Sequence, residues 1–468
     1  MKIYNRLNNG FEKVIPDKDN NIRIYLCGVT TYDDCHIGHA RTILVFDVLR
    51  RYLLYKGFRV IFVQNFTDID DKIINRAKKE GITAEQISSR YIESYFEDFT
   101  KLNVLLADKY PKATEHVGEM INLVEGLVKK NYAYITSNGV YFRVKRFESY
   151  GKLSKKSVEE LQSGARIEID ALKENPLDFA LWKFSTDGPV WNSPWGKGRP
   201  GWHIECSAMA LKYLGSRIDI HGGGQDLIFP HHENEVAQSE AFTHELFSKL
   251  WMHIGIVTLK TEKMSKSLGN IITVKKAMEK WGANTLRLYL LTTHYSKPID
   301  YTDETLSEAL QKWRQIEHCV YELKTTKKQK LTSEEFGITV QSMVDFKDSL
   351  DDNMNTSLAI SSFLNLVSEV NKLSSLDMLT QQMCSVILPL VDDMMKILGL
   401  KVLEVANEEK LKIEQLIDKR DKYRNEKQFL ESDEIRRQLY DDYSVELTDH
   451  SNYTTWKKIE KIPVQSSC

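Results

Sequence analysis

Hydrophobic positions in the first part of the chain alternate between two periods. Ile22-Arg23-Ile24-Tyr25-Leu26-Cys27 is a short apolar run of the kind that forms a buried strand, and residues 59–64 form a second. Between them Ile43, Leu44, Val48, Tyr52 and Tyr55 recur at helical spacing over residues 40–56, with Gly57 as the stop signal. Strand, helix and strand at these lengths predict a βαβ unit. Such a unit implies a parallel sheet with ligands at the strands' C-terminal ends. Residues 72–106 read as mostly helical, broken near Gly81. From about 111 to 200 the pattern loosens into short strand candidates such as 141–144 and a Gly/Pro/Trp-rich stretch at 188–201, which suggests an insertion. The first pattern resumes with a strand at 217–220 running into His221-Gly222-Gly223-Gly224, a helix at 233–247 and a strand candidate at 252–259. After about Thr302 the pattern is wholly helical. Amphipathic stretches cover 304–324, 342–351, 358–373 and 381–398, a charged helix covers 407–429, and 433–440 precedes a Tyr/Trp-containing end.

Composition narrows the class. A chain of 468 residues with 42% hydrophobic content builds several packed cores, and three domains is the first expectation. Lys and Arg number 64 against 66 Asp and Glu, a net charge of −2, so any nucleic-acid contact rests on local patches. No apolar run approaches the ~20 residues of a membrane span. Met1-Lys2-Ile3-Tyr4-Asn5 lacks the apolar core of a secretory signal. The six cysteines, Cys27, Cys35, Cys206, Cys319, Cys384 and Cys468, are dispersed. Dispersed cysteines read as cytosolic thiols or metal ligands rather than a disulfide framework.

Two segments carry phosphate chemistry. His36-Ile37-Gly38-His39 opens the first helix, where backbone N–H groups and imidazoles offer donors to an anion and Gly38 lets a nucleotide approach. Lys263-Met264-Ser265-Lys266-Ser267, followed by Gly269-Asn270, places two ammonium groups on a polar loop that can neutralise departing pyrophosphate. Lysines in a loop are by themselves ordinary solvated surface, so their weight comes from the pairing with His36 and His39. A third group consists of soft and borderline ligands. His231 and Glu235 stand at i and i+4 in Pro230-His231-His232-Glu233-Asn234-Glu235, a spacing that aims both at one point. Cys27 and Cys206 complete a possible tetrahedral set for Zn²⁺. Spacing alone does not join two cysteines so far apart, and a lone cysteine is usually a small buried hydrophobe.

These motifs carry a resemblance. His-Ile-Gly-His with a downstream Lys-Met-Ser-Lys-Ser is similar to the signature pair of class I aminoacyl-tRNA synthetases. The segments 27–28, 30–41, 65–73, 201–209, 221–240 and 263–270 resemble the cysteinyl-tRNA synthetase family over essentially the whole chain. Val29 stands where that family usually has proline, and Asp351-Asp352-Asn353-Met354-Asn355-Thr356 only approximates its aspartate-rich helix start. The resemblance implies an α/β fold: a Rossmann-type parallel-sheet catalytic domain with an inserted connective subdomain, followed by an all-helical tRNA-binding region. The implied boundaries are 1–110 and 201–250 for the catalytic halves and 111–200 for the insertion. They continue with 251–302 for a stem-contact region carrying the lysine loop, 303–405 for a helical bundle and 406–468 for a small anticodon-binding domain.

It also implies ATP-dependent ligation of L-cysteine to tRNA(Cys), with one Zn²⁺ held by Cys27, Cys206, His231 and Glu235 and Mg²⁺ arriving with ATP. His36, His39, Lys263 and Lys266 are the implied catalytic residues. Gly38 and Gly222, Gly223 and Gly224 join His36, His39 and Lys266 around ATP. Gly28, Thr30, Thr67, Trp202 and Asp226 are the implied amino acid pocket. His203 and His232 are either outer donors to the metal ligands or simple neighbours. Asp68, Asp70 and Asp71 read as solvated carboxylates. Arg420, Arg424, Lys427, Arg436, Arg437 and Trp456 are candidates for phosphate contact and base stacking. A cytoplasmic monomer without membrane contact is expected. A second reading keeps the catalytic motifs but joins cysteine to a small amine; the helical region after residue 303 argues for tRNA instead.

Overall fold

The computed structural model describes residues 1–157, 159–161, 172–264, 269–326, 328, 337–450 and 453–459. Its centre is a four-stranded parallel sheet. The strand Asn21–Thr30 lies between Arg59–Thr67 and Ile218–Gly224, and Ser248–Ile254 pairs on the far side of Ile218–Gly224. Side chains along Asn21–Thr30 alternate between two cores. Ile24 and Leu26 pack with Phe46 of the first helix, while Tyr25 and Cys27 face the opposite cluster with Ile204, Cys206 and Trp251. That alternation follows from the two-residue period of a strand, and burial on both faces explains the continuous apolar run.

The first helix is Ile37–Tyr55, and Gly57 follows it at φ 85°. The long helical stretch after it is two helices, Asp71–Glu80 and Ala84–Lys101, separated at Gly81 in the left-handed conformation. Between the second and third parallel strands lie a helix, Val117–Lys129, and a separate antiparallel sheet of Ala133–Ile135, Gly139–Phe142, Phe179–Phe184 and Gly198–Pro200. The sequence pattern had not marked that helix; Met120, Leu123, Val124 and Leu127 supply its buried stripe.

Three expectations change. The glycine run does not follow its strand but belongs to it: Gly222, Gly223 and Gly224 pair with Met252, His253 and Ile254. A Cβ at Gly222 would lie 2.1 Å from the Phe46 ring, so this glycine lets the first helix pack on the sheet. The strand candidate at 252–259 is two strands, Ser248–Ile254 and Val257–Leu259; the second belongs to another sheet, with Glu262–Lys263 and Ile299–Tyr301. The C-terminal third is helical through Tyr443, but it is not wholly helical. Val445–Asp449 and Thr454–Lys458 form an antiparallel hairpin, because Val445 and Trp456 complete a small core that Ile413, Ile417, Ile435 and Leu439 leave open.

The helices Asp303–Thr325, Gly337–Asp351, Thr356–Ser375 and Gln381–Leu398 form the bundle. Its apolar interior is continuous with that of the parallel sheet through Tyr52, Leu286 and Leu290. A buried charge pair fixes the joint. Arg287, 1% exposed, meets Asp47 of the first helix and donates to the carbonyls of Leu102 and Leu398.

Candidate active site

Cys27 is aimed by an irregularity in its strand. Leu26 pairs with Gln64 and Val29 with Phe66, so two residues, Cys27 and Gly28, oppose the single Asn65. Such a bulge bends the strand and redirects a side chain. The Gly28 N–H donates to Asn65 Oδ1 at 2.9 Å, and a Cβ on Gly28 would lie 1.6 Å from the Asn65 carbonyl oxygen. Only glycine fits there.

Cys206 comes from the helix Trp202–Leu214. His231 lies in a short irregular turn, Ile228–His232, containing a cis Phe229–Pro230 bond, and Glu235 in the first turn of the helix Glu233–Thr243. The structure brings Cys27, Cys206, His231 and Glu235 together, their ligand atoms all within 4.8 Å of one another. Cys27 Sγ is 3.7 Å from Cys206 Sγ and 3.3 Å from Glu235 Oε1, and His231 Nε2 is 3.1 Å from Glu235 Oε1. Four ligands around an ion with bonds of about 2.0–2.3 Å stand about 3.3–3.8 Å apart, so these residues fit a metal ion. All four are buried: 8%, 2%, 2% and 0% exposed in chain order.

Outer groups hold the ligands. His203 Nδ1 is 3.0 Å from His231 Nδ1, which leaves His231 Nε2 to the cluster. His221 Nε2 meets Glu235 Oε2 at 2.9 Å and its ring stacks on Trp251. His232 sits between the cluster and a further histidine: its Nδ1 is 2.9 Å from His253 Nε2, and its Nε2 is 3.9 Å from Glu235 Oε1. Asn65 Oδ1 lies 3.7 Å from Cys206 Sγ. Sequence reasoning assigned no role to His221 or Asn65. The available signal was a polar residue extending an otherwise apolar buried strand, a placement that needs a partner.

The charges of the set are coupled. The Cys27 S–H holds the Cys206 thiol down at about 6 against the effect of burial, while burial and Cys206 push Cys27 well up. Burial works upward on Glu235, but His221 and His231 outweigh it and keep the carboxylate ionised. Burial keeps His203, His232 and His253 neutral. The pocket thus favours a Cys206 thiolate and a Glu235 carboxylate, forms that coordinate a cation, while against burial the same two groups raise His231 to about 10, so its Nε2 must give up a proton to join them.

Around this cluster the Trp202 ring stands 4.3 Å from that of His231 and is 39% exposed, a wall at the mouth. Thr30 and Thr67 pair across adjacent strands, and the Thr67 hydroxyl donates to the buried Glu205 at 3.1 Å. Asp226 is exposed and its carboxylate lies over Gly224, where a Cβ would approach it to 2.4 Å. Asp68 is not solvated. It is 8% exposed, accepts from the Thr114 N–H at 2.9 Å, and burial raises its pKa. Asp70 caps the next helix through Lys72 N–H, and Asp71 pairs with Arg199.

The two histidines at the start of the first helix form a capping box. His36 Nδ1 accepts from the N–H groups of Gly38 and His39 at 3.1 and 3.3 Å, and His39 Nδ1 accepts from His36 N–H at 3.4 Å. Their rings stack at 3.7 Å. Both Nδ1 atoms are acceptors, so each neutral ring carries its proton on Nε2. The backbone donors are therefore taken up locally, and the groups able to face an anion are the imidazole Nε2–H bonds. Cys35 O and Ile37 N–H bond to Val274 and Ile272, and Met264 Cε lies 3.9 Å from the position of a Cβ on Gly38. The lysine segment thus begins beside the histidines. Lys263 pairs with Thr258 in its strand, whereas Lys266 lies outside the described residues.

In the C-terminal module Arg420 is 2% exposed and forks onto Asp449, with Arg424 and Arg436 on the same carboxylate. Trp456 is core, at 8%. Lys427 and Arg437 are exposed, and a shallow groove of about 570 Å³ is lined by Arg436, Arg437 and Tyr440.

Comparisons with known proteins identify the family and the fold. The tRNA synthetases class I (C) catalytic domain matches residues 13–311 and the DALR domain residues 345–403. The cysteine–tRNA ligase of Caldicellulosiruptor saccharolyticus is 45% identical, over 94% of this chain and 96% of the relative. That of Carboxydothermus hydrogenoformans is 52% identical, over 78% and 80%. That of Aquifex aeolicus is 44% identical, over 98% and 99%. Among solved structures, Mycobacterium tuberculosis methionyl-tRNA synthetase in complex with methionyl-adenylate superposes with a TM-score of 0.60 at 14% identity, over 81% of this chain and 88% of that one, a likeness of fold alone.

Proposed function

The chain belongs to the cysteine–tRNA ligase family of class I aminoacyl-tRNA synthetases, and from that premise we propose how its residues divide the reaction. The enzyme activates L-cysteine with ATP, releasing pyrophosphate, and then transfers cysteine to the 3′ end of tRNA(Cys). Ligation of cysteine to a small amine is not favoured, because the match to tRNA ligases runs on through the DALR domain. The observation that carries the assignment of roles is the convergence of Cys27, Cys206, His231 and Glu235 at the C-terminal end of the strand that leads to His36.

Those four residues hold one Zn²⁺. When bound, zinc supplies a thiol-selective Lewis acid, which separates cysteine from serine more strongly than an apolar pocket does. Gly28, Thr30, Thr67, Trp202 and Asp226 enclose the amino acid, with Asp226 as partner for its ammonium group. The Nε2–H groups of His36 and His39, with Lys263 and Lys266, stabilise charge on the α-phosphate and pyrophosphate as the cysteine carboxylate attacks in line. Gly38 and Gly222 to Gly224 lie against ATP, and Mg²⁺ enters with it. Residues 1–110 and 201–250 form the catalytic halves, 111–200 the insertion, 251–302 the stem-contact region, 303–405 the bundle and 406–468 the anticodon module. The protein acts as a cytoplasmic monomer; among the described residues no helix is long and apolar enough to cross a membrane. Cysteine-dependent ATP–pyrophosphate exchange followed by transfer of labelled cysteine to tRNA tests the reading. Both steps are expected. Exchange without transfer would sink the tRNA assignment, and absence of exchange the adenylation chemistry.

A further inference from the structure

The apolar cluster of the C-terminal module, Ile413, Ile417, Ile435, Leu439, Val445 and Trp456, is separate from the core that joins the sheet to the bundle. A polar cluster that converges on one carboxylate crosses that boundary. Glu322, on the helix Asp303–Thr325, is 1% exposed. Its Oε1 accepts from the Thr455 hydroxyl of the hairpin at 2.6 Å, and its Oε2 from the Ser374 hydroxyl of the bundle at 2.6 Å. His450, directly after the first hairpin strand, places its Nε2 3.2 Å from the same Oε2 and 3.1 Å from Thr455 Oγ1. His318 Nδ1 stands 3.9 Å away. Thr455 and Ser374 are themselves 1% and 4% exposed, and the His450 side chain is 6% exposed. Beside this cluster Tyr321 lies near Trp456, with its hydroxyl 3.0 Å from Leu403 O and 3.4 Å from Lys458 O.

Apolar contact is non-directional and tolerates sliding, whereas hydrogen bonds weaken steeply with angle. A buried carboxylate that loses its donors is strongly penalised, so the joint favours one orientation over its neighbours. We propose that Glu322 is a positioning residue that sets the angle of the C-terminal module on the bundle, so that a bound tRNA meets the module and the active site together. The proposal rests on the reading that the module binds tRNA.

The test uses the full chain with Glu322→Gln, which keeps shape but loses one acceptor and the charge, and Thr455→Val, which removes the donor from the module's side. KM and kcat for tRNA charging, cysteine-dependent pyrophosphate exchange, and amide exchange over the hairpin are measured together. The expected result is faster amide exchange and a KM for tRNA raised about tenfold, the scale at which two linked contacts lose their preset geometry, with kcat and pyrophosphate exchange unchanged. Unchanged hairpin protection in both variants would overturn the latch. An opened joint with unchanged KM would overturn the module's part in tRNA binding, and the proposal with it. Equal losses in pyrophosphate exchange and charging would make Glu322 an ordinary stability residue.

Discussion

The proposed metal end and the proposed phosphate end of this site are assembled by different means. At the proposed metal end, four buried candidate ligands arrive from a bulged strand, two helices and an irregular turn, with Cys27 and Cys206 179 positions apart. Cys206, His231 and Glu235 are backed by Asn65, His203 and His221 in turn. At the phosphate end, His36 and His39 are half-buried and hold each other within one turn of helix. The difference suits the tasks. Selecting a thiol requires ligands that do not relax around a wrong substrate, and burial with outer hydrogen bonds supplies that rigidity. Handling a departing pyrophosphate requires donors that remain accessible, and a locally capped helix start supplies them without distant support.

Cys206→Ser should break the comparison most severely. Zinc content should fall below detection, and discrimination between cysteine and serine should collapse by 10³-fold or more, on the order of 4 kcal/mol, because hydroxyl is a poor replacement for thiolate. Metal analysis and exchange with each amino acid measure this; full zinc occupancy in the variant would refute the four-ligand set. His36→Asn should leave the metal end intact. Asparagine still caps the helix, so stability should change by no more than about 0.5 kcal/mol, while pyrophosphate exchange should fall about 10²–10³-fold through loss of the ring donor. If zinc content or KM for cysteine also moved, the two ends would not be independent.

The smallest effect concerns the scaffold behind the phosphate end. Asp98, on the helix Ala84–Lys101, is 3% exposed, and burial together with the nearby Asp34 raises its carboxyl to about 6. The folded chain therefore keeps a proton that the unfolded chain releases near pH 4. Stability should decline as the pH rises from about 4 to 6 and stay reduced above that range. Asp98→Asn should relieve this, adding about 1–2 kcal/mol at pH 7 and little at pH 4, as read by thermal unfolding. An equal gain at both pH values would remove the charge from the explanation.

The same contrast governs what could be read in advance. The His36–His39 cap, the βαβ order and the bundle helices depend on neighbours within a few positions, so periodicity and stop signals expose them. The terminal hairpin escaped because its reason for forming is a small core shared with helices earlier in the chain. The glycine run reads as the end of a strand because the constraint on Gly222, the Phe46 ring, comes from a helix far away in the chain. Asn65 and His221 offered only the weak signal of a polar side chain on an apolar strand.

By itself the sequence determined the local elements, the chemical types available for phosphate and metal, and, through the resemblance of its motifs, the family. Tertiary structure alone decided that Cys27 bulges out of register beside Asn65, that His203 and His221 bond directly to the candidate ligands His231 and Glu235, and that Asp449 engages arginines that read as free phosphate contacts. The physical reason is range. Hydrogen-bond caps and helical periodicity are set by residues a few positions apart, whereas burial, coordination and charge pairing depend on which distant side chains packing brings within a few ångströms.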